Sequence, residues 1–191
     1  MAALEKFAAQ CKDISDANAF GIMPSRYHPG IEYSNFHDNR KKPGFPPMMW
    51  RKLKEHTFRY FVECDFGWQS GNIASVSGYG IAMLYLSDLL GQPWLRLLAQ
   101  RQLDWALGVN PFDASLILGI GRNQPPTYAS VECIPAFPDI DGAVFEGLIG
   151  DVDDKPILLP GDYSIGEFWL PHQSWTLWLM AELSKDGQAQ P

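Results

Sequence analysis

Residues 102–121, QLDWALGVNPFDASLILGIG, constrain the fold of this 191-residue chain more than any other stretch. They begin with helical character and end it within a few residues. Gly108 suits the left-handed position that follows a helix end. Pro111 cannot continue a helix, and it holds Asn110 in an extended conformation. Gly119 and Gly121 allow backbone to approach backbone or ligand closely. So many conformationally special residues in one connection predict a built surface there, not a plain turn.

Helical periodicity surrounds this stretch. Leu4, Phe7, Ala8, Cys11 and Ile14 predict an amphipathic helix over residues 2–15. Similar patterns predict helices from Met49 to about Cys64, Ile73 to Leu90, Pro93 to Leu107 and Phe168 to Leu183. Gly78 and Gly80 fall inside the 73–90 pattern, where glycine weakens a helix, so they predict close packing against a neighbour. Residues 18–48, with five prolines, three glycines and the basic run Arg40-Lys41-Lys42, read as a long ordered loop over a groove. Residues 122–165 read as a second irregular region. About five helices with long loops and little strand signal predict one all-α domain over residues 1–191.

Composition narrows the function. The net charge is -7, and from Glu132 onward eleven acids face only Lys155 and Lys185. A nucleic-acid surface needs the opposite, a basic stripe. No apolar run approaches the roughly 20 residues of a membrane span. Met1 to Ile14 lacks the basic and then apolar pattern of a signal peptide, so the chain as it stands reads as cytoplasmic. Cys11, Cys64 and Cys133 are odd in number and far apart, which predicts free thiols. His28, His37 and His56 lack metal-ligand spacing. Asp151, Asp153 and Asp154 lack the remaining pieces of a calcium loop and read as a solvated acidic turn. Neither metal nor cofactor is expected. The aromatic share is 13%, more than a helical core of this size needs. Aromatic faces in a groove grip sugar rings through flat apolar contact.

A second segment, Gly161 to Glu167, carries two carboxylates five residues apart, Asp162 and Glu167. From spacing alone, Glu167 is a first-turn acid favoured by the helix dipole, or the capping partner of Ser164. His172, five residues further on, is a sugar ligand or a residue at the helix N-terminus.

Leu103, Asp104, Leu107, Gly108, Asn110, Pro111, Ser115, Gly119 and Gly121 together resemble the C-terminal signature of glycoside hydrolase family 9. Asp162-Tyr163 and Glu167 are similar to that family's Asp-Tyr-x-x-Asn-Glu segment, with Gly166 where the family usually has Asn. The resemblance covers roughly residues 50–185, the last five or so of the family's twelve barrel helices. It implies a partial (α/α)6 toroid, the C-terminal portion of a glycosidase domain. It also implies inverting, metal-independent hydrolysis of a β-linked glucan or related oligosaccharide, with Glu167 as the proton donor. Asp162, Tyr163, Trp169 and His172 are then candidates for substrate binding. The family usually follows its Gly-x-Gly turn with Pro and then a His/Arg pair. This chain keeps the Pro but not the pair, which leaves Arg122, Tyr128 or Ser130 as alternative sugar ligands. The family's catalytic base sits in a Gly- and Asp-rich motif that has no counterpart here, so the base is expected outside this chain. Helix faces left open would be covered by the missing N-terminal part of the same domain or by a homo-oligomer. A rival reading is a non-catalytic helical module that binds carbohydrate or a partner.

Overall fold

Periodic apolar residues do build helices at most of the expected places. The computed structural model describes residues 1–27, 49–62, 71–128, 138–159 and 161–187. Helix α1 (Ala2–Asp16) buries Ala8, Cys11 and Ile14 on one stripe. Helix α2 (Ile73–Leu90) is apolar on most faces, as befits a central helix. Contrary to the expectation that no apolar run approaches a membrane span, it is long and apolar enough to cross a membrane by length and composition, and half of it is buried in the protein. It ends at Gly91, whose φ of 63° makes the left-handed cap. Helices α3 (Trp94–Ala106) and α5 (Leu170–Gly187) both pack against α2 and also touch each other. A Cβ on Gly80 would lie 2.8 Å from Leu179 Cδ2, so this glycine sets the close approach of α5. Gly78 has no such constraint, its nearest neighbour being Trp175 at 4.0 Å. The outer surface of this helix pair is aromatic: Trp175 stacks on Trp178 at 5.5 Å, and Tyr85 meets Trp178 edge-on.

The chain is nevertheless mixed α/β, which corrects the all-α, partial (α/α)6 toroid expectation. The described residues form four helices of 13 to 18 residues, one single-turn helix and two small antiparallel sheets. The first sheet has the order β1-β3-β2, from β1 (Arg26–Tyr27), β2 (Arg51–Leu53) and β3 (His56–Arg59). Its hairpin occupies the span expected to be helical from Met49. Leu53 pairs with His56 across the two-residue turn Lys54-Glu55, where Lys54 takes a φ of 52°. Thr57, Phe58, Tyr60 and Phe61 are β-branched or aromatic, and such residues favour a pleated, half-buried surface. The second sheet pairs β4 (Ile149–Gly150) with β5 (Pro156–Ile157), inside a region expected to be irregular.

Asp154 joins the two sheets. It is fully buried rather than part of a solvated acidic turn. Its carboxylate accepts the Tyr60 and Phe61 amides at 3.1 Å each and the Arg51 Nε at 2.5 Å. Arg59, also buried, donates to the carbonyls of Met49 and Val152. The loop predicted over residues 18–48 lies outside the described residues from His28 on, as do the basic run 40–42, Cys64, Ser130 and Cys133. Cys11 is buried, and burial pushes its thiol up to about 12, so it stays protonated.

Candidate active site

The stretch 102–121 forms the surface its composition predicts. Helix α3 stops at Leu107, and Gly108 follows at a φ of 113°. Asn110 then organises the turn from inside: its Nδ2 donates to the carbonyls of Trp105 and Ala114, at 3.1 and 2.7 Å. Its Oδ1 accepts the amides of Phe112 and Ala114, at 3.1 and 3.3 Å. Gln102, buried on α3, holds the segment after α1 through Gly21 and Met23. A depression of about 570 Å³ opens on this surface between Phe20, Leu107, Asn110, Asp113, Gly121 and Arg122. Arg122 is paired there with Asp113 at 2.8 Å.

The motif loop reaches the carboxylates through one buried segment, residues 143–150. The amides of Leu118 and Phe145 donate to Ala143 and Leu116, at 2.8 and 2.9 Å, so the segment pairs with the loop. Further along, the Glu146 amide donates to Ile165 at 2.9 Å, and the Glu146 carbonyl accepts the Ile73 amide at 3.0 Å. Asn72 adds its amide to Leu148 at 3.1 Å, and its Oδ1 accepts the Leu148 amide at 3.0 Å. Residues 143–148 therefore tie the motif loop, the start of α2 and the turn bearing Glu167 into one unit.

That turn is helix α4 (Tyr163–Gly166). Asp162 caps it, accepting the Ser164 amide at 2.9 Å and also the Ser164 hydroxyl. The cap partner of Ser164 is thus Asp162, not Glu167. Glu167 follows the turn in extended conformation, with a ψ of 164°, three residues before α5 begins. Its carboxylate is half-buried and accepts a hydrogen bond from the Trp169 indole. Tyr128 and Tyr163 meet edge-on at 6.3 Å on the same turn. The Tyr128 amide donates to Gly166 at 3.0 Å, and a Cβ on Gly166 would lie 2.8 Å from that amide nitrogen. The absence of a side chain at Gly166 is what lets the Tyr128 backbone pass.

Asp162, Tyr163, Glu167, Trp169 and Tyr128 are therefore gathered on one turn, whereas Arg122 stands at Asp113. His172 lies in the first turn of α5 and is 3% exposed, with neither ring nitrogen hydrogen-bonded. Burial pushes it down to about 4, so the ring is neutral near pH 7.

Sequence reasoning missed Glu146. Its side chain is 1% exposed, its Oε2 has no hydrogen-bond partner, and among the described residues the carboxylate form is favoured by the Gly71 amide alone. Burial, then the charge of Glu167, then that of Asp162, push it up to about 8. Tyr163 is also raised, by burial and then by Asp162 and Glu167. Glu146 and Tyr163 thus lie in a negative field that disfavours their own charged forms. The one signal for Glu146 was a lone acid inside the apolar run Ala143 to Ile149. Among the described residues no group of three His, Cys, Asp or Glu side chains converges to hold a metal.

No protein-family model matches the chain, and no curated protein matches its sequence.

Proposed function

We propose that the chain is a glycoside hydrolase of the family 9 type that acts on a β-linked glucan or related oligosaccharide, with Glu167 as the proton donor. The mixed fold is not the one this resemblance implies, so the reading rests on the motifs and on the site. The observation that carries it is the setting of Glu167. A capped turn holds its carboxyl half-exposed at the start of an extended segment, beside Trp169 and next to the Tyr128–Tyr163 pair. Aromatic faces next to a carboxyl group suit a sugar ring on one side and its glycosidic oxygen on the other. In the step, Glu167 gives its proton to the departing oxygen as the C1–O bond breaks. Water adds to C1 from the opposite face, and its proton passes to a carboxylate base supplied from outside this chain.

A specific observation favours the rival reading, a non-catalytic carbohydrate-binding module. Among the described residues, the two carboxyls that share this site with Glu167 are both committed: Asp162 caps α4, and Glu146 is buried. Neither is placed to activate water. Hydrolysis and binding measured together on a panel of β-glucans separate the two readings. Turnover with anomeric inversion, abolished in Glu167→Gln while binding persists, is expected. Full activity in Glu167→Gln refutes the assignment, and binding without turnover in the native protein selects the rival.

A further inference from the structure

We propose that Glu146 is a positioning residue through which the site senses pH: its backbone holds the turn that presents Glu167, and its buried side chain keeps that turn docked only while it carries its proton. The chemistry of Glu167 rests on the glycosidase reading above, but the docking of its turn does not.

The junction is built almost entirely of backbone. Glu146 bonds to Ile165 in α4 through its amide and to Ile73 in α2 through its carbonyl. Gly71 fills the remaining space so closely that a Cβ there would lie 2.5 Å from the Glu146 carbonyl carbon and oxygen. Within this packing the side chains that can change charge are those of Glu146 and His172, and the peptide of Gly71 acts on both. Among the described residues, the other titratable groups facing Glu146 are Asp162, Tyr163 and Glu167, on the docked turn or just after it. No cation among the described residues acts on it. Ionised, Glu146 has burial and two like charges against it, with one amide in its favour. Undocking the turn relieves all three penalties at once, because it hydrates the carboxylate and carries Asp162 and Glu167 away.

The direction follows from linkage. Docked, Glu146 titrates at about 8, and undocked it returns towards 4.5. Undocking therefore becomes about tenfold more favourable per pH unit between those values and levels off above them. His172 acts with the opposite sign. Docked and neutral it titrates at about 4, against 6.5 when released, so it favours undocking as pH falls below 6.5. The two slopes oppose each other from about 4.5 to 6.5, and from 6.5 to 8 Glu146 acts alone.

Hydrogen exchange of the Tyr128, Glu146, Ile165 and Gly166 amides in the full chain, from pH 6.5 to 8, tests this. After correction for intrinsic exchange, protection should fall about tenfold per pH unit in the native protein and stay constant in Glu146→Gln. Constant protection in the native protein overturns the proposal, as does an equally steep fall in the variant. Should Glu146→Gln not fold, a carbon-13 titration of the native Glu146 carboxyl decides: a midpoint near 8 supports the proposal, and one near 4.5 overturns it. Hydrolysis is not the readout. A chain inactive on every β-glucan would refute the glycosidase reading and leave this one to be decided by exchange.

Discussion

Replacing Asn110 with Ala should be among the most destabilising single changes in the chain, although it removes only a small polar side chain. Asn110 is 6% exposed and uses its whole amide: two N–H bonds to the carbonyls of Trp105 and Ala114, and two accepted bonds from Phe112 and Ala114. Each such bond contributes about 1 kcal/mol net, and a buried group left without a partner costs about 1–3 kcal/mol. Phe112 and Asp113 are exposed beside it, so water can reach part of the turn. The expected loss is about 3 kcal/mol, which raises the unfolded fraction by about a hundredfold. Urea denaturation followed by circular dichroism reads this as a lower midpoint at unchanged slope. Asn110→Asp sharpens the test. It keeps both acceptors but sets a carboxylate against two carbonyl oxygens, so it should be more destabilised at pH 7 than at pH 3. A loss below 1 kcal/mol for Asn110→Ala, or no pH dependence for Asn110→Asp, would refute the clamp.

Two further outcomes follow from the same structure. His172 has its folded pKa depressed from 6.5 to about 4, so its stabilising effect is present above 6.5 and lost as pH falls towards 4. At about 1.4 kcal/mol per unit, that loss is about 3 kcal/mol, and His172→Gln should lack it. Urea midpoints of both proteins at pH 7 and pH 4 measure the difference; parallel losses would show that the ring is not buried neutral. Gly166→Asn places a Cβ 2.8 Å from the Tyr128 nitrogen. A loss of about 2 kcal/mol is expected, with the Tyr128–Gly166 bond broken. A thermal midpoint unchanged from the native protein would show that Tyr128 does not pass there.

Helices were legible where periodicity ran long. The 73–90 pattern coincides with α2, and residues 2–15 lie within α1. The hairpin was not legible, for a physical reason. Trp50, Leu53, Thr57, Phe58 and Phe61 satisfy helical spacing over one short run, and a run of that length fits either state. Its turn also hides itself, because Lys54-Glu55 lacks the Gly or Asn that marks a two-residue hairpin. What decided for strand was tertiary: Asp154, almost a hundred residues away, accepts the amides of Tyr60 and Phe61 just beyond β3. No local pattern carries that information.

The site divides along the same line. Asp162 and Glu167 stood out through the family resemblance, since their spacing alone read as a first-turn acid or a capping pair, and the contacts each makes were not legible. Ser164 with Glu167 has the spacing of a capping box, but the bond is made by Asp162, which leaves the Glu167 carboxyl to Trp169. Glu146 was not legible because its importance lies in burial beside two other carboxylates, and burial is a property of the assembled core. The apolar run around it is a buried segment, and an unpaired acid in such a segment is costly to ionise. A lone carboxylic acid inside an apolar run is therefore worth treating as a candidate neutral group from sequence alone. In this chain it marks where the motif loop, the start of α2 and the turn bearing Glu167 are joined, so the opening motif and the carboxylates meet through it.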